Sequence, residues 1–112
     1  MTQKVQLPHI QKMFFIEDRE QFAHAQEASD GWVILGLSIG LFRYALDDQP
    51  FRECNPGDLI IAHPGQTLKR EIIRKCNFYA IYFDWHPENT DCLPNGKYTP
   101  VDIPRYLSTL SY

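Results

Sequence analysis

The side chains able to do chemistry in this sequence are scattered, and none falls into a familiar catalytic spacing. Nucleophilic catalysis needs a serine or cysteine beside a histidine base and an orienting acid. The serines, Ser29, Ser38, Ser108 and Ser111, stand in no elbow-like GxSxG context. Cys54 lies beside a Pro-Gly turn, but no histidine can be argued to partner it. The three cysteines, Cys54, Cys76 and Cys92, form neither a CxxC pair nor a Cys/His cluster with zinc spacing. They read as reduced thiols, core or surface, of a cytosolic protein. His63 closes an apolar stretch just before a turn, where its ring either touches a ligand or packs on the turn. His86, ahead of Pro87, reads as a loop residue, and no role follows for His9 or His24. The basic group Lys69, Arg70, Arg74 and Lys75 is interrupted by Ile72 and Ile73 in a chain of net charge -3. It reads as a solvated strand face rather than a phosphate site. No catalytic residue, metal ligand or cofactor is assigned on this basis.

The elements that must position these groups are strands. From Trp32 to Leu46 the chain is apolar and partly β-branched, broken by Gly36 and Gly40. Each interior glycine costs a helix about 1 kcal/mol, whereas a bent barrel strand accommodates both. Asp47 to Pro50 forms a polar hairpin loop, and Phe51 to Cys54 starts the return. Asn55-Pro-Gly-Asp is a tight turn, with proline presetting φ and glycine accepting a positive one. Leu59 to Ala62 is a strand ended by His63-Pro64-Gly65. Leu68 to Ile73 and Asn77 to Trp85 read as two strands separated by an Arg74-Lys75 reversal. Lys12 to Ile16 is a short strand, and Glu17 to Ala28 a helical turn or an ordered loop. Beyond Pro87 the sequence is irregular, and its last residues, RYLSTLSY, can begin a helix. Turn signals every 8 to 15 residues favour an antiparallel barrel or sandwich over a βαβ fold.

The 112 residues suffice for one domain. Aromatic residues make up 13%, which suits an all-β interior. The longest apolar run, WVILGLSIGLF, is about half a membrane span, and no signal-type segment opens the chain, so a cytoplasmic protein is expected.

The stretch CNPGDLIIAHPGQTLKREI, from Cys54 to Ile72, carries two Pro-Gly turns about one short strand. Joined to the Gly40-containing strand and to FYAIYFDW, it resembles the N-terminal cupin-like domain of AraC-family transcription regulators. The family's closing triplet, hydrophobic-aromatic-Phe, is matched by Ile81-Tyr82-Phe83. The likeness is close from Trp32 to Trp85 and looser over the rest. It implies an all-β, cupin-like double-stranded β-helix (a jelly-roll barrel), with core at residues 12–86 and an irregular tail at 87–112. Metal-bearing cupins resemble a pattern of two histidines and a glutamate before the first turn glycine, then a histidine after the second turn. Counted from Gly57, the glutamate falls on Pro50, the paired histidines near Arg43 and Ala45, and the last histidine on Leu68. None of these offers a donor to a divalent ion.

The resemblance implies a ligand-sensing and dimerisation domain, not an enzyme. A small molecule, a sugar among the candidates, enters the barrel of a homodimer and controls a helix-turn-helix DNA-binding domain absent from this chain. The arm would be the Met1 to Gln11 segment, and the linker would follow Tyr112. The alternatives are a stand-alone cupin enzyme acting on a sugar or small acid, and a protein-interaction module. If Leu68 inherits an inward ligand position, Arg70 also faces in, either meeting a guest or reaching solvent at the rim. By the family match Phe78, Ala80 and Tyr82 face inward, while Tyr79, Ile81, Phe83 and Trp85 pack in an outer layer or dimer surface. Trp32, Ser38 and Phe42 share one parity on the first long strand. The candidate ligand-binding set is therefore Trp32, Ser38, Phe42, His63, Arg70, Phe78 and Tyr82, a composition equally suited to a filled core.

Overall fold

Gly40 lets one strand serve two sides of a barrel. Its φ is +103°, and a Cβ there would lie 2.2 Å from the Lys75 carbonyl oxygen, so only glycine lets the two backbones approach. The computed structural model describes residues 7–86 and 94–100. Among them are seven strands and no helix: β1 (His9–Arg19), β2 (Gln26–Ala28), β3 (Trp32–Leu46), β4 (Arg52–Cys54), β5 (Leu59–Ala62), β6 (Thr67–Asp84) and β7 (Gly96–Tyr98).

The long strands β3 and β6 pair antiparallel along nearly their whole length, from Trp32↔Phe83 to Leu46↔Leu68. Shorter strands extend this folded ribbon on both sides. The first half of β3 carries β5, which carries β7, while its second half carries β4. The second half of β6 carries β1, and its beginning carries β2.

Alternation then sorts the side chains. Every inward residue of β6 is even-numbered, with Leu68, Arg70, Cys76, Phe78, Ala80 and Tyr82 all buried. On β3 the parity switches. Val33, Leu35 and Leu37 point inward before Gly40, and Phe42, Tyr44 and Leu46 after it. Register shifts between Leu37 and Phe42 cause the switch, because each displaces the pairing and two-residue alternation cannot survive an odd displacement. A second cluster covers the outer face of the first half, built on Trp32, Ile61 and Phe83 with Ile34, Ile81, Trp85 and Tyr98 against it.

The expected reversal at Arg74-Lys75 does not occur, because β6 runs through it as one strand of 18 residues. Neither residue supplies the φ of a tight turn, and both side chains are exposed at the bend, so charge there marks solvent and not a loop. The segment expected as a helical turn or loop divides instead. Strand β1 continues to Arg19, bends follow, and β2 begins at Gln26. Strand β7 forms within the stretch read as irregular. The helix considered for RYLSTLSY lies outside the described residues. The turn at Asn55–Asp58 is as expected: Gly57 has φ +92° and the Asp58 carboxylate accepts the Asn55 N–H at 2.8 Å. Its Gly57 N–H donates to the Leu37 carbonyl at 2.8 Å, which locks the turn onto β3.

Candidate functional site

Four of the seven candidate residues meet inside the barrel. Phe42 and Phe78 are buried, and the ring of Phe22, a residue of the β1–β2 connection, lies between them. Ring centroids are 5.5 Å apart for Phe22 and Phe42, edge-on, and 5.0 Å for Phe22 and Phe78. The Arg70 guanidinium stands over the Phe22 ring, 4.7 Å from its centre.

Arg70 faces inward, and its side chain is 6% exposed. A cation at that depth must be paired and hydrogen-bonded. Its Nη2 donates to the Glu27 carboxylate at 2.7 Å and its Nε to the His24 carbonyl oxygen at 3.1 Å. The same Glu27 oxygen, Oε2, accepts the Tyr82 hydroxyl at 3.0 Å. One carboxylate therefore ties together two donors on β6 that lie twelve residues apart. Burial pushes the Tyr82 phenol up from its ordinary pKa, and the Glu27 carboxylate adds to that by disfavouring a second negative charge. The ammonium of Lys12 sits 4.7 Å above the centre of the Tyr82 ring, a second cation at the same place.

Tyr44, the cross-strand partner of Arg70, also points inward. Its hydroxyl is buried with no hydrogen-bond partner among the described residues. Leaving such a group unsatisfied costs about 1–3 kcal/mol. Burial raises its pKa, with nearby Arg52 opposing the rise. Cys54 and Cys76 are buried free thiols, and Cys92 lies outside the described residues. Burial foremost, then the Asp58 carboxylate, drives the Cys54 thiol up to about 12, so it is held as an unreactive thiol.

The other three candidates lie elsewhere. Trp32 does not share a face with Phe42, because the register shifts after Leu37 place it on the outer face. There it stacks on Phe83 at 5.8 Å and its Nε1 donates to the Trp85 carbonyl oxygen at 2.8 Å. Ser38 is exposed at the bend and its hydroxyl donates to the Asn77 carbonyl oxygen at 3.0 Å. His63 packs against Trp32, ring centroids 4.6 Å apart, on the outer surface and not inside the barrel. The shifts also correct the count for metal ligands. Arg43 and Ala45 face away from the interior, Arg43 pairing with Glu71 at 2.7 Å, and the inward positions are Phe42 and Tyr44. With Leu46 and Leu68 beside them, these inward positions do not fit a divalent cation. Among the described residues no three His, Cys, Asp or Glu side chains lie together in a way that could hold a metal ion.

Phe22, Glu27 and Tyr44 escaped the sequence reading. An inward Arg70 calls for an anion, but Glu27 is 43 residues away and nothing local announces the pairing.

No family profile matches the chain, and no curated protein matches it. Among solved structures it is similar to a crystallised RmlC-like cupin family protein with a double-stranded β-helix fold from Methanocaldococcus jannaschii. The TM-score is 0.52 at 16% identity, over 73% of this chain and 91% of that one. The likeness establishes the cupin double-stranded β-helix as the fold of this chain. No helix among the described residues is long and apolar enough to cross a membrane.

Proposed function

We propose that the barrel is a ligand-sensing and dimerisation domain of the AraC type, acting in the cytoplasm through a small molecule bound among Phe42, Arg70, Phe78 and Tyr82. Inward-facing Arg70 carries this reading. An interior with one buried cation, two tyrosine hydroxyls and an aromatic lining suits an organic guest with a polar head, and its donors do not suit a metal ion. The quoted frame from Trp32 to Trp85 supplies the regulatory half of the proposal. A guest that favours one arrangement of an arm or linker biases an attached helix-turn-helix domain by the difference of its affinities. No catalytic role is assigned to any residue.

The test is thermal denaturation of the protein against a panel of small sugars, polyols and organic acids, alongside Arg70→Ala. A ligand that raises Tm for the natural protein and not for folded Arg70→Ala supports the reading. Equal shifts in both proteins overturn the role of Arg70. A stand-alone cupin enzyme acting on a sugar or small acid is the second reading. The crystallised cupin, 91% of whose chain the likeness spans, bears on a barrel standing alone and not on any activity. Turnover of a bound compound, followed by product analysis, would select it.

A further inference from the structure

We propose that the connection between β1 and β2 is a built-in occupant of the ligand seat, and that the guest is a small carboxylate on an aromatic or apolar body that displaces it. This rests on the reading that the barrel interior receives a small molecule. Residues 22–27 present two groups to one place: the Phe22 ring, between Phe42 and Phe78, and the Glu27 carboxylate, on Arg70 and Tyr82. A ring and a carboxylate are what an arylalkanoic acid carries. A free acid of this kind satisfies the same donors and fills the same aromatic gap.

Three observations make the occupant displaceable. Strand β2 pairs with β6 over three residues, Gln26 to Ala28, and residues 20–25 belong to no strand. Segments with so few ladder bonds open at the low end of the local stability range. The Glu27 side chain is 24% exposed while its Arg70 partner is 6% exposed, so the carboxylate enters from the solvent side and the cation stays within. A second cation also stands at the solvent side of the seat, the exposed Lys12 over the Tyr82 ring, in addition to the buried Arg70. When Glu27 leaves, the Arg70 guanidinium and the Tyr82 hydroxyl lose their shared acceptor, with Lys12 over the Tyr82 ring beside them.

The Tyr44 hydroxyl is an independent pointer to an interior guest. It is directly across from Arg70, buried, and unpartnered by Glu27 or any other described residue. Displacement would also give the protein an output. Arg70 is bonded to the connection three ways, through its backbone N–H to the Ala25 carbonyl, its Nε to His24 and its Nη2 to Glu27. Exchanging the internal carboxylate for a free one removes the Glu27 tie, and opening of the connection would then break the two backbone-carbonyl ties and the short β2 ladder.

The experiment measures binding of phenylacetate by calorimetry, with phenylacetamide as the uncharged control and xylose as a polyol. Closure by Glu27 lowers apparent affinity by the fraction of protein in the open state. Glu27→Gln is therefore expected to bind phenylacetate about tenfold more tightly than the natural protein, and Arg70→Lys at least about tenfold more weakly, with phenylacetamide bound by neither. Hydrogen exchange reports displacement without any substitution, through faster exchange of the Arg70 amide and the amides of 22–27 in the presence of phenylacetate. Equal or weaker binding by folded Glu27→Gln, or slower exchange in that segment, overturns the proposal. Binding of xylose but not phenylacetate overturns the carboxylate assignment and leaves the barrel a receptor. Failure of every compound with the folded natural protein overturns both.

Discussion

Two aromatic clusters sit back to back across the same ribbon, and their difference lies in how their polar atoms are satisfied. The outer cluster joins Trp32, Phe83, Trp85 and His63, with the indole N–H of Trp32 bonded to a backbone carbonyl of its own neighbourhood. It is complete within its own sheet. The inner cluster joins Phe22, Phe42 and Phe78 to Arg70 and Tyr82, whose donors are met by one carboxylate and one backbone carbonyl of a weakly attached connection, while the Tyr44 hydroxyl is met by nothing described. Aromatic content cannot distinguish a structural layer from a receptor. The accounting of buried donors can.

Substitutions separate the two clusters most strongly at their centres. Trp32→Ala is expected to lose about 3–5 kcal/mol of unfolding free energy in urea, through a cavity in the closed layer. Its phenylacetate affinity, extrapolated to the folded fraction, should stay as in the natural protein. Equal loss of binding would show that the outer cluster shapes the seat and would erase the contrast. Arg70→Met is expected to cost about 2–3 kcal/mol, below the usual range for a broken buried pair because the stranded Glu27 retains some solvent.

Alkaline titration probes the floor of the interior. The Cys54 thiol is raised to about 12 by burial, so the unfolded chain ionises it first, from about 9 upward. Stability from this group is intact below pH 9 and lost as pH rises through about 12, at up to about 1.4 kcal/mol per pH unit. Cys54→Val should flatten that part of the denaturation profile. Tyr44→Phe removes an unsatisfied buried hydroxyl and is expected to stabilise the empty barrel by about 1 kcal/mol while weakening any guest that uses it. A destabilised Tyr44→Phe would mean that the hydroxyl has a structural partner. The smallest effect belongs to Glu71→Gln, which breaks an exposed pair with Arg43 and should change stability by less than about 1 kcal/mol.

How far the sequence discloses this arrangement depends on the range of each interaction. The turns at Asn55 and His63 are legible because proline and glycine set φ locally. The bend in β3 is legible because interior glycines argue against a helix. The inward face of β6 is one even-numbered set, but the charges at Arg74 and Lys75 read as a reversal, so alternation alone aligns only Leu68 with Arg70, and Phe78 and Tyr82 are reached through the family likeness. Alternation fails across Gly40, where register shifts change the inward set from odd to even, and for that reason Trp32 could not be separated from Phe42. Glu27 was legible least of all. Its role depends on a pairing 43 residues distant, in a connection whose composition suits a helix as readily as a loop.

The pairing of β1 with the far end of β6 has a consequence for biosynthesis. Met13 finds its neighbour only at Ile81, and at translation speeds of roughly 5–20 residues per second the interval is about 3–14 s. Through that time Ile10, Met13 and Phe15, which remain largely solvent-exposed even in the finished barrel, have no sheet to join. Strand β1 is thus made long before its partner and placed only after it, and the nascent chain carries this adhesive segment unpaired until β6 has been made.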